Sequence, residues 1–144
     1  MTKSVRDTMT RDPRSIAPGD PIVKAARLMR DEEVGSLPVI EQGRLVGMLT
    51  DRDIAVRVIA EGKSSESTTV AEVFSRDPVV AEPDQDLDEA LRLMARHQVR
   101  RLPVVEDDRL VGILAQADVA LEEKEKKTGE LVESISQPSE AERR

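Results

Sequence analysis

The chain predicts an α+β fold of two β-α-β-β-α repeats packed with pseudo-twofold symmetry. Three observations predict it. Arg44-Leu45-Val46-Gly47-Met48-Leu49-Thr50-Asp51-Arg52-Asp53-Ile54-Ala55 recurs as Arg109-Leu110-Val111-Gly112-Ile113-Leu114-Ala115-Gln116-Ala117-Asp118-Val119-Ala120, at an offset of 65 residues. Residues 11–55 align with 76–120 without a gap and are identical at 20 of 45 positions, so the relation spans a whole unit rather than one motif. Apolar runs of strand length alternate with stretches of helical period inside each unit.

The lead-ins come first. Residues 4–10 and 69–75 read as short helical turns in which Val5 matches Val70 and Met9 matches Phe74. Arg-Asp-Pro follows each, at 11–13 and 76–78. Proline restricts the residue before it, so short strands are expected from about Arg14 and Val79. Ile22, Ala25, Ala26 and Met29 then share one helix face, repeated by Leu87, Ala90, Leu91 and Met94. Asp86 with Glu89 predicts a capping box; in the first copy Pro21 is expected to open the helix behind an Asp20 cap.

Leu37-Pro38-Val39-Ile40 and Leu102-Pro103-Val104-Val105 read as short buried strands with proline confined to the beginning of each. Gln42-Gly43 and Asp107-Asp108 supply hairpin turns into the strands from Arg44 and Arg109. Closing helices are expected at about 51–60 and 116–126. The predicted organisation is therefore 1–62 for the first repeat with its lead-in, 63–69 for a polar linker and 70–127 for the second repeat. Residues 128–144 are expected to form a short helix around Leu131, Val132 and Ile135, then a disordered tail beyond Pro138. Glu122–Lys126 and Glu123–Lys127 stand at i, i+4 before it.

Composition limits the function. The 144 residues contain one Phe, no Tyr, no Trp and no Cys, so the core is aliphatic and thiol, disulfide and Cys-type zinc chemistry are excluded. A formal net charge of -7 argues against a nucleic-acid binder, which needs a basic field. No apolar run reaches the roughly 18 residues of a membrane span, and residues 1–7 lack a signal-peptide core. The expectation is a cytoplasmic protein without membrane contact. No phosphate loop, nucleophile elbow or nucleophile–base pair is present, so an enzyme is not predicted.

The two hydrophobic-Pro-Val strands, with Gly47-Met48-Leu49-Thr50-Asp51-Arg52-Asp53 and Gly112-Ile113-Leu114-Ala115-Gln116-Ala117-Asp118, resemble a tandem pair of cystathionine-β-synthase (CBS) domains, a Bateman module. The likeness runs from about Val5 to Leu121. It is similar to stand-alone bacterial CBS-pair proteins, including the hypoxic-response type of actinobacteria around His97-Gln98-Val99-Arg100-Arg101. The resemblance implies a homodimer acting on an unknown protein target. It also implies an adenosine-containing ligand (AMP, ADP, ATP or S-adenosylmethionine) between the repeats. No cofactor is required, and Mg²⁺ enters only if carried by ATP.

On that resemblance Thr50 and Asp53 would hold the ribose, since a carboxylate accepts from both hydroxyls of a cis-diol. Arg100 and Arg101 would grip a phosphate through the planar guanidinium fork. Met48, Val79 and Val80 would wall the adenine. Each role has a plain alternative. Thr50-x-x-Asp53 is also a capping box, and the arginines could form a solvated patch facing Asp31, Glu32 or Glu33. The second cleft would set Ala115 and Asp118 against Gly35 and Ser36, with Arg52 as the one available cation. The expectation is one competent site and one weak or empty one. His97 is left as a surface or helix-end residue, and no metal motif is present. The rival to a ligand sensor is a ligand-free structural or interaction protein.

Overall fold

The computed structural model describes residues 3–120. The predicted helix beyond 120 with its i, i+4 pairs, the short helix near Leu131 and the tail lie outside the described residues. The elements are α1 (Val5–Thr8), β1 (Thr10–Arg11), α2 (Ile22–Glu32), β2 (Ser36–Glu41), β3 (Arg44–Thr50) and α3 (Asp51–Ile54), which continues as a π-helical turn Ala55–Ile59. A 3₁₀ turn Val70–Glu72, β4 (Ser75–Arg76), α4 (Leu87–His97), β5 (Arg101–Glu106) and β6 (Arg109–Ala115) follow, and residues 116–120 begin a last helix. The fold is α+β, as predicted.

Each repeat is built on a hairpin. β2 pairs antiparallel with β3, and β5 with β6, with a register shift after Val39 in one and after Val104 in the other. The turns need two residues at positive φ. Gln42 and Gly43 supply 52° and 80°, Asp107 and Asp108 supply 53° and 65°. The hairpins meet tip to tip, where Arg44 pairs with Arg109 and the Leu45 N–H donates to the Asp108 carbonyl at 3.1 Å.

The lead-ins are exchanged. β1, from the first repeat, runs antiparallel to β6 of the second, and β4 runs antiparallel to β3 of the first. Val5 and Met9 accordingly belong to the core of Ala81, Leu87, Ala90, Met94, Leu102, Val104 and Leu114. Val70, Val73 and Phe74 belong to that of Ile22, Ala25, Met29, Leu37, Val39, Leu49 and Val58. The exchange also satisfies the helix starts, whose first N–H groups have no partner within the helix. The carbonyls of Thr68 and Ser65 accept from Ile22 and Val23 of α2, and the Lys3 carbonyl accepts from Leu87 of α4, all at 2.9 Å.

Three local expectations are corrected. Strands from Arg14 and Val79 shrink to single parallel bridges, Ile16 to Val39 and Ala81 to Val104. Asp12 and Asp77 turn the chain at φ 51° and 55° ahead of a proline that has no N–H to donate. Pro21 is the N-cap of α2 rather than its first residue, and the Asp20 carboxylate accepts from the Ala17 N–H at 3.0 Å instead of capping. In α4 Asp86 does cap, accepting from Asp88 N–H at 3.1 Å, one residue short of the predicted box with Glu89. A box does close at the 3₁₀ turn, where the Thr69 N–H donates to Glu72 at 2.7 Å. That bond holds the Glu72 carboxyl below its ordinary value. Its contribution is present above the unfolded-chain value and is lost as pH falls through the folded one.

Candidate ligand-binding cleft

The exchanged lead-in forms one wall of a cleft of about 310 Å³ between the repeats. Thr10, Asp12, Pro13 and Arg14 come from the crossing segment, Glu32 from the end of α2, and Ser36 and Pro38 from β2. Arg101 at the start of β5, Ile113 and Ala115 of β6, and Asp118 in the last helix come from the second repeat. Both repeats therefore touch whatever occupies it.

Asp118 is half-buried, and its carboxylate accepts from the Thr10 hydroxyl at 3.3 Å. Thr10 stands opposite Ile113 in the β1–β6 pairing, which is why a residue from the N-terminal lead-in reaches the last helix. Arg101 pairs with Ala115 across the hairpin and is half-buried. One cavity thus presents a carboxylate with acceptor capacity to spare and a guanidinium fork.

The structure divides the set of residues marked in the sequence. Arg101 and Asp118 share the cleft, with Ala115 and Ser36. Thr50, Asp53, Met48, Val79, Val80, Arg100 and Arg52 are not among its lining residues. Thr50 N-caps α3: its hydroxyl accepts from the Asp53 N–H and its own N–H donates to Asp53 Oδ2, each at 3.0 Å. Such caps contribute about 1 kcal/mol. The Asp53 side chain is 12% exposed, with Arg57 Nε 3.9 Å from Oδ1, and Arg57 Nη1 donates to the Val73 carbonyl at 3.2 Å. Met48, half-buried in β3, faces Pro38 on one side and Ser75 of β4 on the other.

Val79 packs onto the second core, so its side chain is partly committed there; Val80 is half-buried, and neither lies in a strand. Arg52 is exposed on α3. Arg100 is exposed and lines a separate cavity of about 260 Å³ with Leu91, Met94, Gln98 and Gln116. The two adjacent arginines therefore face different spaces, as neighbours leading into a strand do.

Sequence reasoning missed Thr10 and Arg14, and named Glu32 only as one of three acids that could face the arginines. Arg14 Nε lies 3.8 Å from Glu32 Oε1, with both side chains substantially exposed. The offset of 65 sets Val79 and His97 at the corresponding positions, so this ion pair belongs to one side of the pseudo-twofold only. Among the described residues no group of three or more His, Cys, Asp or Glu is placed to hold a metal ion, and no helix is long and apolar enough to cross a membrane.

The comparisons agree with this architecture. The CBS domain model matches the chain twice, at residues 5–59 and 70–125. "CBS domain-containing protein YhcV" of Bacillus subtilis is 49% identical over 118 residues, covering 82% of this chain and 84% of that protein. Hypoxic response protein 1 of Mycobacterium tuberculosis is 34% identical over 136 residues, covering 94% and 95%. Two solved structures are similar at 28% identity. The CBS domain pair of protein MJ0100, in complex with 5′-methylthioadenosine and S-adenosyl-L-methionine, has a TM-score of 0.76, covering 88% of this chain and 99% of that one. CBSX2 in complex with AMP has a TM-score of 0.75, covering 86% and 98%. With two gap-free repeats, two hairpins joined through exchanged lead-ins and a family model matched twice, the chain belongs to the CBS domain family as a tandem pair.

Proposed function

We propose that the protein is a non-enzymatic, cytoplasmic regulatory module that binds an adenosine-containing ligand in the cleft holding Asp118 and Arg101. The observation that carries the reading is the meeting of these two side chains across one open cavity built by both repeats. The Asp118 carboxylate takes the ribose hydroxyls, oriented by Thr10, and the Arg101 fork takes a 5′ phosphate or carboxylate. Support comes from the relatives solved with AMP and with S-adenosyl-L-methionine. Because the walls come from both repeats, a ligand with different affinity for their open and closed placements shifts that equilibrium. A homodimer reads out the shift through the exposed apolar residues Val56 and Ile59, 45% and 63% accessible.

This reading reverses the weight that the sequence gave to the two clefts. Asp53 already accepts from Thr50 and stands beside Arg57, whereas Asp118 faces the open cavity. At the Asp53 end the closed capping box favours the ligand-free, structural alternative.

Thermal unfolding of the purified protein with AMP, ADP, ATP, S-adenosylmethionine and 5′-methylthioadenosine tests the proposal. A ligand at 100 times its dissociation constant adds about 2.7 kcal/mol. At least one is expected to raise the midpoint of the wild type, and Asp118→Asn is expected to abolish that rise. A midpoint unmoved by every member of the panel at millimolar concentration would refute ligand binding and leave the structural alternative.

A further inference from the structure

The cleft is not electrically neutral, and its imbalance bears on which adenosine ligand it can take. Five charged side chains line it: Arg14 and Arg101 against Asp12, Glu32 and Asp118, one more carboxylate than guanidinium. Glu32 engages Arg14 at 3.8 Å, which leaves Arg101 as the one lining cation without a carboxylate partner among the described residues. A sphere of 310 Å³ is about as wide as the roughly 8 Å Debye length at physiological ionic strength. Every lining charge is therefore felt across the space, whatever the pose of the occupant. The volume also lies at the small end of the roughly 300–1,000 Å³ range of ligand pockets.

We infer that Glu32, paired with Arg14 at the edge of this cleft, is a charge filter that makes the site take an adenine nucleoside with a neutral, cationic or singly phosphorylated 5′ group over its di- or triphosphate. The inference rests on the ligand reading above and deepens it by naming the ligand class. One guanidinium matches one phosphate; each further phosphate adds negative charge to a cleft that already carries an excess of carboxylate and holds its second guanidinium against Glu32. Discrimination of this kind works through an unfavourable contact for the wrong ligand as much as a favourable one for the right ligand. Val79 and His97 at the corresponding positions of the other repeat carry no such acid, so the filter belongs to the Asp118 cleft alone.

Calorimetric titration of the full chain with AMP and with ADP, for the wild type, Glu32→Gln and Glu33→Gln, tests it. Glu33 holds the left-handed cap of α2 at φ 55°, where the second repeat carries Gln98 at φ 54°, so Glu33→Gln is a tolerated charge control outside the cleft lining. The wild type is expected to bind AMP roughly tenfold more tightly than ADP, and Glu32→Gln to narrow that ratio by roughly three- to fivefold, with Glu33→Gln leaving it unchanged. The preference is expected to shrink with added salt. ADP binding as tight as AMP in the wild type, or a ratio unmoved by Glu32→Gln, overturns the filter while leaving the ligand site standing. Absence of binding by AMP, ADP and 5′-methylthioadenosine alike overturns the ligand reading and the filter with it.

Discussion

Gly47→Ala is expected to cost the protein about 3 kcal/mol or more, read as a fall in the urea midpoint. Gly47 sits in mid-β3 without positive φ, so its need for glycine is a matter of space rather than backbone angle. A Cβ there would run into the Ser75 carbonyl oxygen and come within 2.5 Å of Phe74 Cδ2. The carbonyl belongs to the β4 backbone, which is held in register by its pairing with Gly47 and Met48 and cannot swing away as a side-chain tip can. Overpacking must then displace the exchanged lead-in itself. This outweighs the gain of about 0.4–1 kcal/mol that an alanine usually brings by stiffening the unfolded chain. Gly112→Ala meets Met9 Sδ at 2.6 Å and the Thr10 carbonyl at 2.9 Å, and is milder because the thioether can move. Gly19→Ala, with nothing within 4 Å, is the control and is expected to be neutral or slightly stabilising.

Phe74→Ala is expected to destabilise by about 3–5 kcal/mol, the usual cost of emptying a buried phenyl site. Phe74 is the single aromatic residue of the chain and is 7% exposed. Although it is sequentially part of the second repeat, it fills the core of the first, against elements that surround Leu49 and Val58. Its ring also lies 4.7 Å from the Arg76 guanidinium, a cation–π contact that adds about 0.5–1 kcal/mol at an exposed site. Phe74→Leu keeps most of the volume and is expected to lose less than about 1.5 kcal/mol. The chain holds no Tyr or Trp, so both series are followed by far-ultraviolet circular dichroism. A loss under about 1 kcal/mol for Phe74→Ala would mean that the lead-in does not reach the core of the first repeat.

Much of this architecture was legible in the chain because the repeat is exact in register. Hairpin turns at Gln42-Gly43 and Asp107-Asp108, the helix faces of Ile22 and Leu87, and the Thr50–Asp53 box all follow from local patterns that tertiary packing did not override. The exchange of lead-ins was not legible. Periodicity says that Val5 and Val70 have an apolar face to bury, but the same pattern holds whether each enters its own core or the other. One signal did point to it: Gly47 and Gly112 interrupt apolar strands, as glycines do where another backbone passes closely. The missed residues of the cleft have the same cause. Thr10 and Arg14 reach Asp118 and Arg101 only because the first lead-in crosses to the second repeat, where Glu32 meets them from the end of α2.

That crossing leads to the ligand reading, and the measurement that tests it most directly is a calorimetric titration of AMP into the wild type, Asp118→Asn and Asp53→Asn side by side. Replacing a charged acceptor of ribose hydroxyls is expected to weaken binding by roughly 10- to 100-fold in Asp118→Asn, whereas Asp53→Asn stays within about threefold of the wild type. Loss of AMP binding in Asp53→Asn with Asp118→Asn unaffected would contradict the account and return the ligand to the cleft beside Thr50.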